Sequence, residues 1–126
     1  MQLKNVKYGW RSPELKEKYH EAMKNRHDGS PCPLCQLKSV REFKFWRITV
    51  DEYPYDMIAS KHDMLLPKRH VVSNQLTQEE TTELNEIIEG GELDKDYDVI
   101  QKSLNSVSSI PSHTHYHLMK IKDISL

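Results

Sequence analysis

The chain has 126 residues, with 18 basic against 19 acidic side chains for a net charge of −1. That length suits one domain built around one core. The charge balance excludes a broad electrostatic footprint for polymeric nucleic acid or a membrane surface, and no apolar run approaches the ~20 residues that cross a bilayer.

The opening segment, MQLKNVKYGWRSPELKEKYHEAM, has no apolar signal core and no small-residue cleavage site, so a cytoplasmic location is expected. Ser12-Pro13-Glu14 reads as a helix start, with Ser as N-cap, Pro at the first helical position and an acid in the first turn. The helix is expected to run from Ser12 to His27 and to end at Asp28-Gly29-Ser30-Pro31. Leu15, Tyr19 and Met23 recur every four residues, enough for one narrow buried stripe on an otherwise polar helix. Residues 1–31 are therefore read as an N-terminal helical extension and residues 32–126 as the domain proper.

The chain's two cysteines follow, in Cys32-Pro33-Leu34-Cys35. In a reducing compartment such a pair is metal-binding or redox-active rather than a structural staple. Two thiolates one turn apart suit a tetrahedral zinc ion with Zn–S of about 2.3 Å, which needs two more ligands. A redox dithiol and a pair of unliganded thiols remain the alternatives, although no βαβ pattern surrounds the motif.

Phe43 to Val50, rich in aromatic and β-branched residues, predicts a strand broken by Glu52-Tyr53-Pro54-Tyr55-Asp56. Asp63 to Leu66, stopped by Pro67, predicts a second. Thr77 opens a helix of about 13 residues, with Glu80 completing a capping box. Leu84, Ile87 and Ile88 form its apolar face, and Gly90-Gly91 closes it. Tyr97 to Leu104 and His113 to Ile121 predict two more strands, joined by the Ser/Asn-rich loop Asn105 to Ser112. Strands with one central helix place the chain in the α+β class. Trp10, Phe45 and Trp46 read as core or interface packing rather than as platforms for a base.

The segment His113-Thr114-His115-Tyr116-His117 carries the most chemistry. On an extended backbone its three imidazoles project to one side. Buried imidazoles need hydrogen-bond partners and make poor filler, so this pattern points to a site. A His-rich surface strand is the bland alternative.

His113-Thr114-His115-Tyr116-His117-Leu118-Met119 resembles the signature of the histidine-triad family, three alternate histidines followed by two apolar residues. Leu65-Leu66-Pro67-Lys68-Arg69-His70-Val71, followed by Leu76-Thr77-Gln78-Glu79-Glu80, is similar to that family's strand–turn–helix passage, and Cys32-Pro33-Leu34-Cys35 sits where many bacterial, zinc-containing members carry a cysteine pair. The resemblance covers roughly Cys32 to Ile121. It implies an antiparallel sheet, a homodimer, and hydrolysis or transfer of a nucleoside monophosphate through a covalent nucleotidyl-histidine. By the same resemblance His115 is the nucleophile, His117 holds a phosphoryl oxygen or moves the leaving group's proton, and His62 is the family's fourth frequent histidine. One structural zinc per chain would take Cys32, Cys35, His70 and His113. Asp51 stands where members contact the ribose hydroxyls, and Ser108 or Ser109 offers a hydroxyl to the phosphate or leaving group. A solvated loop histidine, a turn acid and ordinary loop serines are the plain readings of His62, Asp51 and the two serines.

The loop before the triad departs from the family's pattern. Asn105 to Ser112 contains no glycine and no glutamine, whereas members carry a glycine-rich stretch with Gln-Ser there. This departure favours an alternative function, a catalytically weak or inactive nucleotide-binding regulatory module with a structural zinc.

Overall fold

The structure is a computed structural model that describes residues 10–26, 31–104, 108 and 110–123. Its elements are α1 (Pro13–Lys24), β1 (Ser39–Glu42), β2 (Trp46–Val50), β3 (Ala59–Pro67), α2 (Gln78–Glu89), β4 (Val99–Gln101) and β5 (Tyr116–Ile121), with one 3-10 turn at Ser73–Gln75. Five strands form one sheet in the order β1-β2-β3-β5-β4, and each neighbouring pair is antiparallel. The α+β class holds. Among the described residues no helix is long and apolar enough to cross a membrane.

Both helices begin where their caps dictate. The Ser12 side chain accepts from the Leu15 amide, and Thr77 and Glu80 exchange the two bonds of a capping box. Gly90 caps the end of α2, and Gly91 takes φ of 78°, a left-handed conformation that only glycine adopts cheaply. His27, the expected end of the first helix, lies outside the described residues. Leu15, Tyr19 and Met23 are half-buried, so the expected stripe is shallower than a core face.

The strands correct the sequence reading in five places. The first expected strand starts at Trp46 rather than Phe43, because Phe43 to Phe45 form the turn of a hairpin with β1. The Glu83 carboxylate clamps that turn by accepting the amides of Lys44, Phe45 and Trp46 at 3.2, 2.7 and 3.1 Å. β1 itself was not expected: Ser39-Val40-Arg41-Glu42 is a mostly exposed edge strand without apolar alternation. β3 is nine residues rather than four, and β4 keeps only three of the eight in Tyr97 to Leu104. β5 begins at Tyr116, so of the three triad histidines only His117 lies within the strand.

Register divides the sheet into two faces. Trp46, Ile48, Leu65 and Leu118 share one face and form the main core with Leu84 and Ile87 of α2 and with Leu93. Arg47, Thr49, His62, Met64, Leu66, His117 and Met119 occupy the other face, which is also buried. Trp46 is fully enclosed and its indole N–H donates to the Glu80 carbonyl at 2.8 Å. The second face carries the chemistry.

Candidate functional site

On that second face β2 places Arg47 beneath the cysteine knuckle. The guanidinium donates to the Leu34 carbonyl at 2.7 Å and also to the Leu37 carbonyl, fixing both ends of the turn that holds Cys35. Leu34 is buried with Met64, Leu66 and Ile110, so the knuckle is seated by apolar packing as well. The triad segment docks beside it, with the Thr114 amide donating to the Val71 carbonyl at 2.8 Å.

These contacts gather Cys32, Cys35, His70 and His113, whose donor atoms all lie within 4.8 Å of one another. Cys35 Sγ is 3.4 Å from both His70 Nδ1 and His113 Nδ1, and Cys32 Sγ is 3.7 Å from His113 Nδ1. A zinc tetrahedron with two sulfurs and two nitrogens has edges of roughly 3.4–3.8 Å, so the donor set fits. The tautomer fits as well. His113 Nε2 faces the Pro67 carbonyl at 3.0 Å and must carry a proton to bond it, which leaves Nδ1 as a lone pair turned toward the sulfurs. Burial lowers the His113 pKa and keeps the ring neutral. Burial, reinforced by Cys32, raises the Cys35 thiol pKa, the opposite of what a bare redox nucleophile requires.

A second cluster contains Asp51, His62 and His117, all buried. His62 Nε2 is 2.8 Å from His117 Nδ1 and 3.3 Å from Asp51 Oδ2, which is 3.7 Å from His117 Nδ1. Here the tautomer argues against a metal. His62 Nδ1 accepts the Tyr55 amide at 2.9 Å, so the proton of the neutral ring sits on Nε2, the nitrogen that faces the other two groups. That nitrogen is a donor, not a ligand. It donates to His117 Nδ1, which leaves the His117 proton on Nε2. Burial pushes His62 down to about 4 and His117 down to about 3, with the Arg11 charge acting in the same direction on both. Asp51 Oδ1 accepts the Tyr53 amide at 2.8 Å, so this carboxylate braces the turn after β2 while facing the histidines.

His115 lies between these clusters in sequence and lines a cleft of about 350 Å³ together with His117, Asp51 and Ser108. Its Nδ1 faces the His113 carbonyl at 3.0 Å and therefore bears the proton, leaving Nε2 as the lone pair. Burial lowers the His115 pKa, so the ring is neutral near pH 7. The rings of His115 and His117 are 5.3 Å apart. The expected strand does not reach His113 or His115: β5 begins at Tyr116, and His115 is oriented by the carbonyl of His113.

Ser109 lies outside the described residues. Four other cleft residues escaped the sequence reading. Trp10, read as packing, lines the cleft beside Tyr55 at 5.2 Å between ring centroids. Tyr55 itself packs on His62 at 4.6 Å and on His117 at 5.2 Å. Lys102 enters from the end of β4, and Arg11 from the residue ahead of the α1 cap. The Tyr53-Pro54-Tyr55 turn carried a weak signal, an aromatic pair in a strand break; lone cations in loops carry none.

One solved chain, described as "Hit Like Protein", is structurally similar at 16% sequence identity with a TM-score of 0.47, over 82% of this chain and 96% of that one. No family model matches the sequence, and no curated protein matches it.

Proposed function

We propose that the chain is a nucleotidyl hydrolase or transferase that acts at the α-phosphate of nucleoside 5′-phosphate derivatives, with His115 as the nucleophile. The orientation of His115 carries this reading. A neutral imidazole whose Nδ1 is held by a carbonyl presents its Nε2 lone pair in a cleft. The resemblance of the triad segment to the histidine-triad family points to the same chemistry.

In the first step Nε2 forms a bond to phosphorus as the bond to the leaving group breaks, the electron pair departing with that group. Water then attacks phosphorus, the P–N bond breaks with its pair returning to Nε2, and the proton that water loses passes to solvent or to the departed group. The His117 Nε2–H, fixed by His62, serves a non-bridging phosphate oxygen. Lys102 adds positive charge near His115, whose pKa it also lowers. Asp51, with acceptor sites left after its bond to Tyr53, receives ribose hydroxyls, and Ser108 offers its hydroxyl to the phosphate. The apolar wall of Pro33, Leu34, Leu37, Met64 and Ile110 seats the base. Cys32, Cys35, His70 and His113 would hold one structural zinc, which would tie the knuckle to the triad segment and serve the fold rather than activate water.

Turnover of an adenylyl phosphoramidate or a dinucleoside polyphosphate tests the reading. Wild type is expected to release AMP and His115→Ala to lose at least ~10³-fold in rate; equal rates for the two would overturn it. The glycine-free loop at Asn105 to Ser112 favours the second reading, a binding module with little chemistry. That reading predicts nucleotide binding by calorimetry with no turnover in either protein.

A further inference from the structure

The residues just ahead of α1 are fixed to the turn between β2 and β3. Met57 donates its amide to the Trp10 carbonyl at 2.9 Å, and Ser12 donates its amide to Asp56 Oδ1 at 2.7 Å. Between them Arg11 Nε donates to the Tyr53 carbonyl at 2.7 Å. The guanidinium carbon lies 4.0 Å from the centroid of Tyr19 and 4.8 Å from that of Tyr55. Two aromatic faces and one backbone bond therefore hold a planar cation in one orientation.

That cation is not explained by an ion pair. Among the described residues Arg11 has no carboxylate within salt-bridge distance, and only one of its five N–H donors is engaged by a hydrogen bond. It lines the same cleft as His115 and His117. Its place there differs from that of Lys102: Arg11 lies over the Tyr55 ring, which packs on His62 and His117, whereas Lys102 lines a small pocket with His115 and Ser108. A single attacked phosphate beside His115 is served by Lys102 and leaves Arg11 without an anion.

We propose that Arg11 is a specificity-determining residue that binds a second anionic group of the substrate, beyond the phosphorus attacked by His115. The preferred substrates are then nucleotides with a phosphate or a carboxylate on the leaving portion. The inference rests on the function proposed above and names the substrate class for that site.

Calorimetry of AMP, ADP and an adenylyl-aspartate phosphoramidate, in a His115→Ala background that stops turnover, tests this. With Arg11 intact, ADP or the aspartyl compound binds about tenfold or more tighter than AMP, as a charge-assisted hydrogen bond implies. Whichever of the two holds the advantage identifies the anion as phosphate or carboxylate. Arg11→Gln collapses that ratio toward one, and Arg11→Lys retains part of it. An Arg11→Gln variant that weakens all three ligands by one factor, or leaves the ratio unchanged, overturns the inference while the nucleotide reading stands. Failure of all three to bind with Arg11 intact overturns both.

Discussion

The two donor clusters on the second face of the sheet differ at single atoms. His113 spends its Nε2 proton on a carbonyl and turns a lone pair toward two sulfurs, whereas His62 spends its Nδ1 lone pair on an amide and turns a proton toward its neighbours. One is built to ligate and the other to donate. The neutral state of His62 ties stability to pH. Its folded pKa is depressed from an ordinary value of about 6.5 to about 4, so between those values the unfolded chain binds more protons than the folded one. Stability is then fully present above pH 6.5 and falls as pH drops toward 4, by an order of a few kcal/mol for a shift of this size. Urea unfolding followed from pH 7.5 to 4.5 should show that decline, and His62→Phe should flatten it; an equal slope in both proteins would remove His62 from the account. At this scale the sequence was most legible where chemistry is repeated at short spacing. Cys32/Cys35 and the triad announced themselves, whereas Arg47, which anchors the cysteine turn, looks like any strand arginine.

Helices were legible because their ends are written in local chemistry. Ser12-Pro13 and the Thr77/Glu80 box set the first turns without help from distant residues. Thr77→Ala should cost about 1 kcal/mol, read as a lower denaturation midpoint at unchanged m-value. The strands depend on partners, and their limits were harder to read. β3 is covered on both faces, so its apolar and polar residues do not alternate between core and solvent, and its length exceeds the run from Asp63 to Leu66. β1 is an exposed edge strand whose only signal is its pairing with β2. The turn between those two strands relies on Glu83, which answers three backbone amides from another element. Glu83→Ala should destabilise by roughly 1–3 kcal/mol, whereas an effect indistinguishable from zero would show that water replaces the carboxylate without loss.

Across the whole molecule, residues far apart in sequence converge on one face. The knuckle, the turn after β3 and the triad segment meet at four donors, and the N-terminal residues close over the turn after β2 to reach the same cleft. None of this convergence is local, which is why the α+β class and the triad were legible while Arg11, Tyr55 and Lys102 were not. A zinc at the four donors would cross-link these segments, so its removal should act globally. About one zinc per chain by elemental analysis is expected. Chelation should lower the melting temperature of wild type, and Cys35→Ser should already melt lower and respond no further. A metal-free protein indifferent to chelator would contradict the site.

The chemistry itself is open to one direct test, the intact mass of the chain after brief mixing with an adenylyl substrate and an acid-free quench. A nucleophilic His115 gives an added mass of one AMP less water on wild type, located at His115 by fragmentation and missing from His115→Ala. An adduct on another residue, or AMP release from wild type with no adduct trapped and no loss of rate in His115→Ala, would contradict it.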